Sequence, residues 1–121
     1  TGPFIQYTHA PIKTVLAKAN YAPSTGSEYT GVLTESERDL IVLLSKYPET
    51  ILASAQEHSP AQIANFVYEV AKLYNKFYHE SPIIKAEDEK LKDFRLQLSS
   101  ATAAVIKKGM RLLGIQVPER M

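Results

Sequence analysis

The sequence predicts an all-α protein, a bundle of four to five helices forming a single domain over residues 1–121. Three observations carry that expectation. Apolar side chains in residues 59–82 recur at three- and four-residue steps, the period of a helix with one buried face. Several stretches open on residues that cap helix N-termini, and the last one closes on a glycine. No segment alternates polar and apolar residues with the period of a strand, and no internal repeat is present.

Residues 3–19 read as the first helix, apolar at Phe4, Ile5, Ile12, Val15, Leu16 and Ala19. Pro11 conflicts with it. Proline has no N–H for the carbonyl of Tyr7 and its ring crowds that carbonyl, at a cost of ~3 kcal/mol in a helix interior. The expectation is a kink at Pro11, or regular structure beginning only near Ala10. Residues 20–33, rich in Gly, Ser, Thr and Pro, read as a long exposed loop. Thr34 and Glu37 have the spacing of a capping box and launch a helix to about Lys46, with Leu40, Ile41, Leu43 and Leu44 apolar. Pro48 then starts a short helix to about Glu57.

Ser59 with Gln62 gives a second capping-box spacing, with Pro60 in the first helical position. In this helix Ile63, Phe66, Val67, Val70, Tyr74 and Phe77 make the core stripe. A second stripe, turned away from it, carries Tyr68, Lys72, Asn75 and His79. The last helix is expected from about Glu87 to Leu113, opened by acidic residues that suit its positive end. Phe94, Leu98, Ala101, Val105 and Leu112 form its expected inner stripe, and Gly114 its C-terminal cap.

Composition narrows the function. The chain is 45% hydrophobic and 22% charged, as a water-soluble globular domain is, and no apolar run has membrane-spanning length. It has no cysteine, which excludes disulfides and thiolate chemistry and fits a cytoplasmic setting. Net charge is only +1, so any nucleic-acid binding must come from local placement of Lys and Arg. His9, His58 and His79 fall on different elements without a second ligand at helical spacing, so no metal site is expected. Ser99 and Ser100 lie mid-helix, away from any nucleophile elbow, and no glycine-rich phosphate loop exists. No catalytic apparatus is visible. An aromatic, a cation, an amide and an imidazole on one outer stripe suit a polar ligand such as RNA; the alternative is a helical protein–protein interaction module.

Three motifs bear on that choice. Near the start stand Gln6, Tyr7, His9 and Ala10; in the central helix Asn75, Phe77, Tyr78 and His79; at the end Leu113, Gly114, Ile115, Pro118, Glu119, Arg120 and Met121. In this order they resemble the C-terminal anticodon-binding (DALR-type) domain of the arginyl-tRNA synthetase family, along nearly the whole chain. There are two departures. Pro11 stands where that family usually has arginine, and the class I nucleotide-binding signatures of the HIGH and KMSKS kind are absent. The resemblance therefore implies a domain separated from its catalytic half and unable by itself to activate arginine.

The resemblance further implies a division of labour. The catalytic domain, with ATP and magnesium, forms arginyl-adenylate and esterifies the tRNA, while this domain, a monomer, holds the anticodon stem and loop of arginine tRNA. Anticodon bases are single-stranded and can be stacked on rings and read along their edges. Tyr78 or Tyr68 is expected as the stacking platform, with Asn75 and His79 as polar neighbours. The Met121 α-carboxylate would accept a hydrogen bond from a cytosine amine. Lys72, Lys76, Lys107, Lys108, Arg111 and Arg120 are expected phosphate contacts. Tyr7 and His9 either touch the stem or seat the first helix.

Overall fold

The computed structural model describes residues 2–21 and 29–114. Among these it contains five helices in the order α1 Gly2–Lys18, α2 Glu35–Ser45, α3 Tyr47–Glu57, α4 Pro60–Glu80 and α5 Glu89–Leu112, and no strand. The expected α-bundle is the observed one. The notional loop of residues 20–33 lies partly outside the described residues. Where its end is described, Tyr29 stacks on Phe94 of α5, with ring centroids 5.3 Å apart.

α4 is the axis of the bundle and packs against all four other helices. Its core stripe is the expected one: Ile63, Phe66, Val67, Val70, Tyr74 and Phe77 are all buried. Two sets of contacts fix the directions of its neighbours. Phe4 meets Tyr68 and Thr8 meets Asn75, so α1 runs parallel to α4. Tyr74 bonds Ser99, while Gly109 faces Val67, so α5 runs antiparallel to α4. The approach at Gly109 is close enough that an added Cβ would stand 2.5 Å from Val67 Cγ2.

Of the two expectations for the first helix, the structure removes the late start near Ala10. α1 continues through Pro11 from Gly2, with no break in the helix at that residue. Pro11 is exposed, so its ring displaces no core contact, while Ile5, His9, Ile12 and Val15 are buried. Asn20, at φ 51°, closes the helix in the left-handed region, as Asn does more readily than most residues.

The capping box at Thr34 forms in full. Thr34 Oγ1 accepts from Glu37 N at 3.1 Å, and Glu37 Oε1 accepts from Thr34 N at 2.7 Å. The one expected at Ser59 does not. Its side chain makes no capping bond, and Gln62 instead donates from Nε2 to Glu57. The sharp α3–α4 connection explains this. His58 turns into the left-handed region at φ 50°, Ser59 N donates to Ser54 O at 3.0 Å, and Ser54 Oγ donates to Ser59 O at 2.7 Å. Backbone and neighbours have already engaged the groups a capping box would use.

α5 begins two residues later than expected, at Glu89, with Asp88 Oδ1 accepting from Lys90 N. Its buried face is also phased differently. Arg95, Leu96, Leu98, Ser99, Thr102, Ala103, Ile106, Gly109 and Met110 are buried, whereas Ala101 and Leu112 are exposed and Phe94 and Val105 only half-buried. Polar groups on this face bond along their own helix: Ser99 Oγ donates to Arg95 O, and Thr102 Oγ1 to Leu98 O. Gly114, at φ 77°, takes the C-terminal position expected of it, donating to Arg111 O.

One contact ties three distant segments together. The Arg95 guanidinium donates from Nε to Glu37 Oε2 at 2.9 Å and from Nη1 to the Pro82 carbonyl at 2.6 Å. Both side chains of the ion pair are almost wholly buried. Glu37 thus caps α2 with one oxygen and anchors α5 with the other.

Candidate nucleic-acid interface

The outer stripe of α4 is half-covered by α1. Asn75 Nδ2 donates to Thr8 Oγ1 at 3.1 Å, so this amide helps hold α1 in place. Tyr68 lies tilted against Phe4, with centroids 5.5 Å apart, and is half-buried by it. Lys72 places Nζ 5.4 Å from the centre of the Tyr68 ring and 3.6 Å from Glu69. Tyr7, one helical turn beyond Phe4, is 58% exposed.

The C-terminal end of α4 carries the second cluster. Tyr78 is 40% exposed, stacked at 27° on Tyr74 and meeting the exposed His79 edge-on. Tyr74 beneath it is fixed. Its hydroxyl shares a 2.9 Å hydrogen bond with Ser99 Oγ, and burial pushes its pKa up to about 12, against a smaller lowering by that bond. The ring supporting Tyr78 therefore stays neutral and held in one orientation across physiological pH.

The expected site residues thus separate into two groups. Tyr68 and Tyr78 lie ten residues apart on one helix, about 15 Å at 1.5 Å per residue. Lys107, Lys108 and Arg111 belong to the Tyr68 end, because α5 is antiparallel and Gly109 sits against Val67. Of these, Lys108 and Arg111 are exposed and Lys107 is half-buried. Lys76 is exposed between the two groups. His9 is a correction: it is fully buried within α1's inner face, so of its two expected roles, this geometry leaves seating the helix and removes contact with an RNA stem. Arg120 and Met121 lie outside the described residues.

Residues 5–121 match the model of the DALR anticodon binding domain family. The chain belongs to that family. This DALR domain is 45% identical over 124 residues to an arginine–tRNA ligase of Parabacteroides distasonis, and 47% identical over 121 residues to one of Flavobacterium psychrophilum. Each comparison covers the whole of the chain, and 21% and 20% of those relatives. The DALR domain thus spans about a fifth of the length of the relatives it matches. Its fold matches that of the Thermus thermophilus arginyl-tRNA synthetase with a TM-score of 0.89 at 31% identity, again over all of this chain and 21% of the other.

Two features near the interface escaped sequence reasoning. Phe4 is an exposed ring packed on Tyr68, although helical periodicity assigns it to the core. The turn after α4 puts Ile84, 42% exposed, and the exposed Lys85 beside Tyr78. The Pro82-Ile83-Ile84 run was the available signal, since two adjacent isoleucines in a turn cannot both point inward; Ile83 is the buried one.

Proposed function

We propose that this DALR domain holds the anticodon stem and loop of an arginine tRNA, as part of a cytoplasmic arginine–tRNA ligase. The observation that carries the reading is the family match along residues 5–121, together with tyrosines exposed on braced helices. Unstacked anticodon bases lie against Tyr7 and Tyr78, each worth ~1–3 kcal/mol of stacking. Lys72, Lys76, Lys108 and Arg111 neutralise backbone phosphates, a sequence-independent contribution that brings the loop to the rings. Base edges are read by polar groups, His79 at the Tyr78 end among them. The rest of the ligase supplies the ATP- and magnesium-dependent activation of arginine. This domain contributes binding and selection of the tRNA and acts as a monomer.

The test is a titration of an arginine-tRNA anticodon stem-loop onto the chain, followed by fluorescence anisotropy at several salt concentrations. Binding is expected to be weak, to weaken steeply with added salt, and to fall further with Tyr78→Ala. A chain with an intact helical circular dichroism spectrum that binds nothing at low salt refutes the proposal.

A further inference from the structure

Tyr78 is the outermost ring in a chain of contacts that begins on α5. It is stacked on Tyr74, four residues earlier on α4, and Tyr74 is buried while Tyr78 is exposed. Tyr74 in turn is held from α5, where its hydroxyl shares the 2.9 Å bond with Ser99 Oγ. Chemistry fixes the direction of that bond. Ser99 has one hydroxyl proton and donates it to the Arg95 carbonyl at 2.9 Å, so the Tyr74 hydroxyl is the donor and Ser99 Oγ the acceptor. Both partners are buried. The same turn of α5 also holds the segment that follows Tyr78, since Arg95 Nη1 donates to the Pro82 carbonyl at 2.6 Å.

We infer that Ser99 is a positioning residue for RNA binding, acting on Tyr78 through Tyr74. The inference rests on the RNA-binding reading above and deepens it by adding a residue that meets no nucleotide. Ser99 is 0% exposed, so its part is to accept from the Tyr74 hydroxyl. Giving its own proton to the backbone of its helix keeps Oγ aimed at that hydroxyl. The bond holds the Tyr74 ring in one orientation, as a flat support on which Tyr78 rests before any ligand arrives. An exposed ring without such a support samples several rotamers, and ordering it only on binding lowers the affinity. Without Ser99 Oγ, the Tyr74 hydroxyl becomes a buried donor with nothing to bond, and the ring must swing to answer it. The support then tilts, and Tyr78 with it.

The first test needs no RNA. With 3-fluorotyrosine at position 78 alone, fluorine NMR should give one sharp resonance in the wild-type chain and a shifted or broadened one with Ser99→Ala. It is run at a temperature where circular dichroism shows both chains folded. The second test is an anisotropy titration of the arginine-tRNA anticodon stem-loop at that temperature. Ser99→Ala should weaken binding roughly three- to tenfold, the scale of ordering one ring on binding, and should leave the salt slope unchanged because no phosphate contact is lost. In a Tyr78→Leu background the same substitution should have no effect, which a general loosening of the bundle would not reproduce. Tyr74→Phe removes the bond from the other side without stranding a donor, so it keeps the measurement available should Ser99→Ala fail to fold. It should weaken binding about two- to threefold, and Ser99→Ala should add nothing to it. An unmoved fluorine resonance, full affinity in Ser99→Ala or Tyr74→Phe, additive losses, or an equal loss with and without Tyr78 overturns the positioning role and leaves the RNA-binding reading standing. Absence of all RNA binding by the folded wild-type chain overturns both.

Discussion

Replacing Arg95 by Met removes a guanidinium from among three segments and leaves its carboxylate partner behind. Glu37 is 0% exposed, and one of its oxygens still accepts from Thr34 N at 2.7 Å. The other loses the 2.9 Å bond from Arg95 Nε, while the Pro82 carbonyl loses its 2.6 Å donor. Breaking a buried pair from one side costs about 3–5 kcal/mol, because the remaining charge is stranded. For a domain of this size each kcal/mol moves Tm by roughly 3–6 °C, so Arg95→Met should lower Tm by about 10–30 °C. Methionine fills most of the volume, so the loss is one of charge and bonding more than of packing. The double variant Arg95→Met with Glu37→Met removes the stranded charge as well and should recover at least half of the loss, despite forfeiting half the α2 capping box. Circular dichroism melts of the four chains at neutral pH complete the cycle. A single variant that melts within 3 °C of wild type would refute the reasoning, as would a double variant less stable than the sum of both singles.

Pro11→Arg restores the backbone N–H opposite the Tyr7 carbonyl and places its side chain outward, where Pro11 is exposed; stability should rise by up to ~3 kcal/mol, read as a higher Tm, and an unchanged or lower Tm would mean that α1 already accommodates the ring. Tyr74 has its pKa raised from 10.0 to about 12 by burial, so the stability it contributes as a neutral phenol is complete below pH 10 and is lost as pH rises towards 12. An absorbance titration should accordingly show one tyrosine ionising last, and Tyr74→Phe should remove that step. Asn75→Ala deletes the bond to Thr8 and should cost about 1 kcal/mol by denaturant unfolding, chiefly by loosening α1; no change would assign the α1–α4 contact to the apolar residues alone.

What the sequence made legible was local. Thr34 and Glu37 sit three residues apart and form their capping box without help from elsewhere, and the α4 stripe combines strong periodicity with large apolar residues. Gly114 was legible because few other residues enter the left-handed region at so little cost. The phase of α5 was not legible. Its buried line runs through Arg95, Ser99, Thr102 and Gly109, and hydrophobicity cannot mark residues whose polar groups are satisfied within the helix or by a partner 58 positions away. At the candidate interface the residue types were readable, but their grouping was not. The parallel course of α1 and antiparallel course of α5 decide which end of α4 each cation joins, and those directions come from tertiary packing. Of the two roles the sequence left open for His9, the structure keeps the seating one: His9 stands four residues after Ile5 and three before Ile12, on the buried face of α1.

α4 is an unbroken rod held by four neighbouring helices, and that makes it a ruler. Tyr68 marks one graduation and Tyr78 another, about 15 Å along at the helical rise. Neither mark can drift, since the same helix carries both and the bundle clasps it throughout. A nucleic-acid loop touching both must therefore bring its own span to this fixed gauge. Loops puckered too tightly or stretched too far would reach one mark and miss the other, so selection by length would come from the scaffold before any base edge is read.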